Sequence, residues 1–288
     1  MWSGQKATYE AGEDVGICIG QGGSGGRDAG GLSCLPWPEG CAVILQTQLP
    51  YPGWETRKLP GVQPLDPAEW IVFDEAEPAQ LREKARLLAT NRAEVLATVP
   101  GSEAAQAEAL EAVLTHLARD HGRHPDVSGP PLEALSRIVQ DDIVIMEKQG
   151  DEHVLTAALL CFPASWRLSE KIGRPLGAIH DPVASYDSNV ARRVQRLFDG
   201  LQVGRPLWRW NTLWYDDPAL FQPRSASEPR HHPDGAPFFR SERQCLVRLP
   251  RTGAVVFSIH TYVLRAQDVD QSAASLPNSS NSGRSLTT

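Results

Sequence analysis

Histidine is the residue type in this sequence that could most readily hold a metal, because a neutral imidazole is a common metal ligand. His180 lies in the proline-containing segment 179–183, which could fix its ring on a rigid turn. His260 lies in a strand-like run and is expected on a sheet surface, and the pair His231-His232 is expected to be solvated in a Pro/Ser-rich loop. A lone histidine is usually a cap or a core residue, so these residues alone favour that interpretation.

The cysteines argue against a disulfide framework and against a closed zinc site. Their number is odd and no CxxC pair occurs; they are Cys18, Cys34, Cys41, Cys161 and Cys245. Reduced thiols fit a cytoplasmic setting. No apolar run reaches the roughly 20 residues that span a bilayer, and no basic segment precedes an apolar one at the N-terminus. We therefore expect a cytoplasmic protein without a membrane partner.

The net charge disfavours two classes of binding partner. The formal net charge is −7, and no dense run of lysine and arginine occurs. Nucleic-acid binders usually present a basic face, and an acidic surface does not favour docking on anionic lipid. The composition therefore disfavours both, and it suits an encounter with a cation or with a basic patch on a partner.

Hydrophobic periodicity assigns most of the middle of the chain. Helices are expected at 78–91, after Gly101 with Ser102 as the N-cap, at 130–138 and at 190–201. Strands are expected at 142–146, 153–160, 207–215, 243–249 and 254–263, the last two flanking a hairpin turn at 250–253. Helices followed by antiparallel strands predict an α+β fold.

The two ends of the chain differ from this middle part. Residues 1–33 are rich in glycine and residues 265–288 in serine and asparagine, so neither can bury enough apolar area to offset its ordering entropy. We expect two disordered tails around one domain at 34–264.

An ordered set of short segments resembles the haem-dependent oxidative N-demethylase family over roughly residues 59 to 263. The segments are 140–142 (QDD), 161–166 (CFPASW), 170–173 (EKIG), 179–183 (IHDPV), 209–211 (RWN), 240–244 (RSERQ), 249–250 (LP) and 257–262 (FSIHTY). No single segment is specific, but their order and spacing are. Position 184 is alanine, where the family often has proline.

The resemblance implies a PAS-like haem domain, an antiparallel sheet with flanking helices, that follows an N-terminal helical region. It implies haem b as the cofactor and dioxygen as a reactant. The implied reaction removes a methyl group from a small secondary amine resembling dimethylamine, with formaldehyde as the coproduct. No flavin-binding or iron–sulfur motif is visible. Electrons are therefore expected from a separate flavin/iron–sulfur reductase that uses NAD(P)H.

The resemblance also suggests residues for the haem. His180 is the expected iron ligand, because one protein ligand leaves the opposite face open for oxygen. Arg209, Arg240, Arg243 and Lys171 are candidates for pairing with the haem propionates, since arginine presents planar donors that suit a carboxylate. Solvation at the surface is the alternative for some of them.

Glu242 and Tyr215 are the catalytic candidates. A protonated amine needs a negative partner, and Glu242 could supply it, with an aromatic wall adding cation–π attraction. Trp208, Trp210, Trp214 and Tyr215 could form that wall. The alternative is a plain cross-strand ion pair, which is common for a glutamate flanked by arginines on a strand. Period-2 alternation puts Arg240 on the face of Glu242 and Arg243 on the opposite face, and either arginine could hold Glu242 ionised. Tyr186 and Tyr262 have no assigned place.

Two other functions stay open at this point. PAS-like folds host many functions, so a haem-binding sensor without turnover is the first alternative. A truncated, inactive relative is the second, because family members usually continue past the equivalent of Tyr262 with further helical chain, whereas this sequence becomes low in complexity.

Overall fold

A β-sheet forms the centre of the fold. The computed structural model describes residues 43–52, 61–180, 188–225, 228 and 235–269, without the side chains of residues 180, 188 and 189. Its strands are β1 Gln63–Pro64, β2 Leu96–Thr98, β3 Asp142–Gln149, β4 Glu152–Leu159, β5 Leu207–Tyr215, β6 Phe238–Arg248 and β7 Val255–Arg265. They lie in the order β1-β5-β6-β7-β3-β4-β2, and every recorded pairing is antiparallel.

Helices flank this sheet. They are α1 Glu77–Thr90, α2 Arg92–Val95, α3 Glu103–His121, α4 Pro131–Ser136, α5 Leu176–His180 and α6 Ser188–Gly200. Short 3-10 turns occur at Pro67–Glu69 and Leu168–Glu170. The expected α+β class, with an antiparallel sheet, flanking helices and an N-terminal helical region, is confirmed; its PAS-like character stays a prediction.

Alternation along β6 assigns its side chains to two sides of the sheet. Leu246 packs in a cluster with Ile259 of β7 and Phe198 of α6, and this side is called the α6 face. Cys245 packs in the larger cluster with Leu87 of α1 and residues of α3 and α4, and this side is called the α3 face. Successive residues of a strand point to opposite faces, so the sheet is covered on both sides.

Two local features follow the sequence closely. Ser102 precedes α3 as the N-cap, but its hydroxyl donates to the Val99 carbonyl at 2.7 Å and makes no cap hydrogen bond to the helix. At the end of β7, residues 266–269 form a helical turn and Val269 is buried. No helix in the described ranges is long and apolar enough to cross a membrane.

Candidate active site

A row of polar side chains crosses β5 and β6 on the α6 face. Gln244 Nε2 donates to Glu242 Oε2 at 3.1 Å, and Arg209 Nη1 donates to Gln244 Oε1 at 3.1 Å. On the other side of Glu242, Arg240 Nη2 lies 3.5 Å from Oε1. This polar row, Arg209–Gln244–Glu242–Arg240, arises because residues 240, 242 and 244 share one face of β6 and Arg209 is paired with Gln244 across strands.

Arg240 is held rigidly in this row. Its Nη1 donates to the Leu220 carbonyl at 3.0 Å, and its Nη2 donates to the Phe162 carbonyl at 2.5 Å. The side chain is 2% exposed, and that of Glu242 is 6% exposed. Burial of a charge is costly unless the charge is paired, so each of the two charges stabilises the other. Glu242 is thus a buried carboxylate whose direction is fixed by neighbours on both sides.

The polar row carries buried atoms that lack a partner. Arg209 Nε, Arg240 Nε and Thr261 Oγ1 have no hydrogen-bond partner among the described residues, and Thr261 is paired with Glu242 in the register of β6 and β7. Burial lowers the pKa of Arg209, while the charge of Glu242 raises it. Unsatisfied buried donors usually indicate a missing water, ion or ligand. These atoms therefore fit a place where a polar or anionic group binds.

Tyr215 lies at the Arg240 end of the row. Its hydroxyl is 2.9 Å from Ser165 Oγ, and its ring centre is 5.9 Å from the Arg240 guanidinium. Ser165 has a φ of 62°, which is uncommon for a residue other than glycine. Such outliers often occur at functional sites. Ser165 belongs to the CFPASW segment and was not among the site residues expected from the sequence.

The tryptophans of β5 lie on the other side of the sheet. Trp208, Trp210 and Trp214 are paired with Cys245, Arg243 and Phe239, which share the α3 face. The expectation that they form an aromatic wall around Glu242 is therefore wrong, because side chains one residue apart along a strand point to opposite faces. Of the four aromatic residues proposed, Tyr215 alone shares the face of Glu242.

Arg243 also lies on the α3 face, as the alternation predicted. Its Nη1 donates to the Trp70 carbonyl at 3.0 Å and its Nη2 to the Glu69 carbonyl at 2.5 Å. The guanidinium is 5.3 Å from the Trp208 ring centre. The structure thus separates Arg243 from the polar row that contains Arg209 and Arg240.

Lys171 contacts the last turn of α5. Lys171 Nζ donates to the carbonyl of Ile179, the residue before His180. Burial lowers the pKa of Lys171, while the charge of Glu170 raises it. His180 is the last residue of α5. Its side chain, and also Tyr186, His231 and His232, lie outside the described part of the chain.

His260 is a buried imidazolium rather than a free ligand. Its Nδ1 lies 3.2 Å from Asp141 Oδ2, its Nε2 lies 3.0 Å from Asp74 Oδ2, and the side chain is fully buried. Burial alone would lower its pKa, but the hydrogen bonds and charges of Asp141 and Asp74 raise the pKa of His260 to about 9. Both ring nitrogens are occupied, so His260 is unsuited to bind iron. The described residues contain no group of three or more His, Cys, Asp or Glu side chains that could hold a metal ion.

We expect His260 to make stability depend on alkaline pH. Its folded-state pKa of about 9 lies above the unfolded value of about 6.5. The stabilisation is therefore fully present below about pH 6.5 and is lost as the pH rises through about 9. Urea unfolding at several pH values between 6 and 10 should show this loss in the native protein and a flatter profile in His260→Gln. Parallel profiles for the two proteins would contradict the assignment.

A second buried pair lies beside His260. Lys84 of α1 is fully buried, and its Nζ lies 3.3 Å from Asp142 Oδ1 and 2.5 Å from the Asp141 carbonyl. The Asp142 carboxylate also accepts the backbone N–H groups of Cys161 and Phe162 at 3.0 and 2.6 Å. Lys84 was not among the residues expected from the sequence. One feature of the sequence indicates that Lys84 is buried. It lies three residues after Leu81 and four before Leu88, which places it on the apolar stripe of a helix.

The chain matches a family model over most of its length. The model described as haem-dependent oxidative N-demethylase, alpha subunit-like, matches residues 61–127 and 121–279. These ranges include β1 to β7, the polar row and the buried residues around His260. The match therefore covers the whole described sheet and both of its faces.

Proposed function

Because this chain belongs to the haem-dependent oxidative N-demethylase, alpha subunit-like family, we propose that it binds haem b and removes a methyl group from a small secondary amine resembling dimethylamine. The family match over residues 61–279 is the observation that carries this proposal. The family is haem-dependent by its description; the amine, the formaldehyde product and the residues that act are the proposed part.

The residues on the α6 face fit a haem. Leu246, Ile259 and Phe257 form part of the apolar cluster under α6, next to the polar row. Arg209 has a buried donor without a partner, and a guanidinium suits a propionate carboxylate. We propose Arg209 and Arg240 as propionate partners on this face and His180 as the iron ligand. Arg243 faces the opposite side of the sheet, so it is the weaker candidate. Lys171 donates to a carbonyl, as Arg240 also does, and stays a candidate.

The reaction needs an oxidant and an external source of electrons. When bound, haem supplies the redox chemistry that activates dioxygen. A secondary methylamine, dioxygen, two electrons and two protons give the demethylated amine, formaldehyde and water. One oxygen atom leaves in formaldehyde and the other in water. We propose that a separate reductase supplies the electrons.

Glu242 is proposed to bind and orient the amine. A protonated dialkylamine carries one positive charge and two N–H donors, and Glu242 offers a carboxylate that is almost excluded from water. Gln244 and Arg240 hold this carboxylate from both sides, so the ammonium group would be placed in one position. Tyr215 lies at the end of the same row and offers an aromatic ring and a hydroxyl on the face of Glu242.

Haem binding and turnover can be tested separately. The full-length protein purified from haem-supplied cells is expected to show a Soret band at a roughly equimolar haem content. With a chemical reductant, oxygen and dimethylamine, formaldehyde is expected in molar excess over protein. Haem binding with gas-dependent spectral shifts but without excess formaldehyde would favour the sensor. A colourless protein would overturn the proposal.

Replacement of Glu242 by glutamine tests the amine site. The substitution keeps the shape but removes the charge, and a charge-assisted hydrogen bond contributes about 1.5–3 kcal/mol, so the amine affinity should fall by about ten- to a hundredfold. The measurement is a titration of the haem spectrum with dimethylamine, paired with thermal melting.

Glu108 provides a matched control for this variant. Its side chain is 4% exposed and lies away from the polar row, with Oε1 3.6 Å from Arg251 Nε. Glu108→Gln should leave the amine titration unchanged. If Glu242 serves only as the partner of Arg240, then Glu242→Gln would lower the melting temperature and leave the titration unchanged, and Glu242 would lose its proposed role.

A further inference from the structure

The outer side of α6 carries a row of arginines. Arg192, Arg193 and Arg196 are exposed, whereas Val194, Leu197 and Phe198 pack in the cluster of the α6 face. Helical spacing places Arg192 and Arg196 one turn apart on the same side. We propose that these three residues, the arginine row, form the docking surface for an acidic electron-transfer protein. The role of this partner rests on the proposed function.

The three members of the arginine row lie together on one helix without an ion pair among the described residues. None of its three members has a salt bridge or a side-chain hydrogen bond within the described ranges. Six other exposed arginines pair with carboxylates: Arg86 with Glu83, Arg92 with Glu133, Arg119 with Asp120, Arg123 with Glu77, Arg167 with Glu228, and Arg251 with Glu111. Exposed arginines without a carboxylate partner in the described ranges, such as Arg82 and Arg137, are not grouped on one helix face with two others. Asp199, on the same helix, pairs with Lys148. Within the described part of the chain, the positive charge of the row is therefore not paired with a carboxylate.

The overall charge favours a compact acidic protein over an extended polyanion. The chain has a net charge of −7, so a long nucleic acid or an anionic membrane would meet repulsive surface beyond the row. Screening limits the reach of exposed charges to about 8 Å at physiological salt, so a small acidic patch would be dominated by the three arginines. Complementary patches of this kind accelerate association.

The position of α6 suits electron delivery to the proposed site. Phe198 of α6 packs in one cluster with Leu246 of β6, which follows Gln244 of the polar row by two residues on the same face. A partner on the outer side of α6 would therefore dock over the covered side of the sheet that carries Glu242. A one-electron carrier would dock twice for each methyl group removed, giving up one electron each time and leaving in its oxidised form.

The test uses a plant-type [2Fe–2S] ferredoxin, a small acidic one-electron carrier, as the probe. Binding to the full-length protein is measured by calorimetry at 20 and 300 mM salt. The rate of haem reduction by the reduced probe is measured by stopped flow. The triple variant Arg192→Gln, Arg193→Gln, Arg196→Gln is expected to lose roughly tenfold or more in rate at low salt. A control that removes three charges elsewhere, Arg82→Gln, Arg86→Gln, Arg137→Gln, should react as the native protein does.

The outcomes separate this inference from the proposed function. Salt-sensitive binding of the native protein that only the α6 variant loses supports the docking surface, even if no amine is turned over. Equal losses in both triple variants, or no salt-sensitive binding of the probe, overturn it. Tighter binding to anionic vesicles or to nucleic acid than to the probe also overturns it. Reduction by dithionite reports on the haem alone, so a failure there counts against the proposed function.

Discussion

Substitution of His180 by alanine is expected to remove most of the bound haem. The proposed ligand lies at the end of α5, in the segment that resembles the family's. The rival His260 has both nitrogens occupied by Asp141 and Asp74, so it cannot take over. A single axial histidine holds the iron in many haem proteins, and its loss should leave only weak, apolar binding of the porphyrin. Haem content is measured from the absorption spectrum of the purified variant.

His124 offers the matched control. It is exposed in the chain between α3 and α4, and His124→Ala should keep the native spectrum and haem content. Added imidazole should restore part of the spectrum of His180→Ala, because it can fill the vacated ligand position. An unchanged spectrum in His180→Ala would show that the ligand lies elsewhere. A variant that loses haem and also melts at a much lower temperature, without rescue, would show a structural role instead.

Replacement of Lys84 by methionine is expected to cost about 3–5 kcal/mol of unfolding free energy. Lys84 and Asp142 are both fully buried, 3.3 Å apart. Methionine fills a similar space but leaves the Asp142 carboxylate without its cation. Burial already raises the pKa of Asp142, and the charge of Lys84 lowers it, so the variant should raise that pKa further. Urea unfolding monitored by circular dichroism gives the free energy.

Lys148 provides the comparison for Lys84. It pairs with Asp199 at the surface, and its side chain is 42% exposed. An exposed pair contributes about 0–1 kcal/mol, so Lys148→Met should hardly change stability. The double variant Lys84→Met, Asp142→Asn should recover part of the loss, because the buried charge is gone. A loss in Lys84→Met no larger than in Lys148→Met would refute the buried pair as a stabilising element.

The buried charges around His260 show how the two faces of the sheet divide their roles. On the α3 face, His260, Asp74 and Asp141 join the strand to the chain that precedes α1. On the α6 face, Glu242 has neighbours that fix it but leave unsatisfied donors beside it. Asp141 Oδ1 of the first group also has no hydrogen-bond partner among the described residues, so unsatisfied atoms alone do not distinguish the two faces. The α6 face is proposed as the site because its unsatisfied atoms include guanidinium donors, which suit an anionic group.

Local pattern in the sequence determined the elements of this fold. The strand expected at 207–215 matches β5 at both ends, and the hairpin turn at 250–253 joins β6 and β7. Strand alternation also placed Arg240 and Glu242 on one face and Arg243 on the other. These features depend on side-chain direction and backbone propensity within a few residues. The start of β6 was missed by five residues, because the polar residues 240–243 hide its alternation.

Only the tertiary structure shows which residues that are far apart in the sequence interact with each other. His260 meets Asp74 across 186 positions, and Lys84 meets Asp141 across 57. No local pattern reports such a pairing, and an isolated lysine or aspartate in the sequence is expected at the surface. The tryptophans of β5 were misplaced for a related reason. The sequence of β5 does not show which of its residues share the face of Glu242, and the register with β6 places the tryptophans on the opposite face. The chain's own periodicity fixes which way a side chain points, and only packing fixes what it meets.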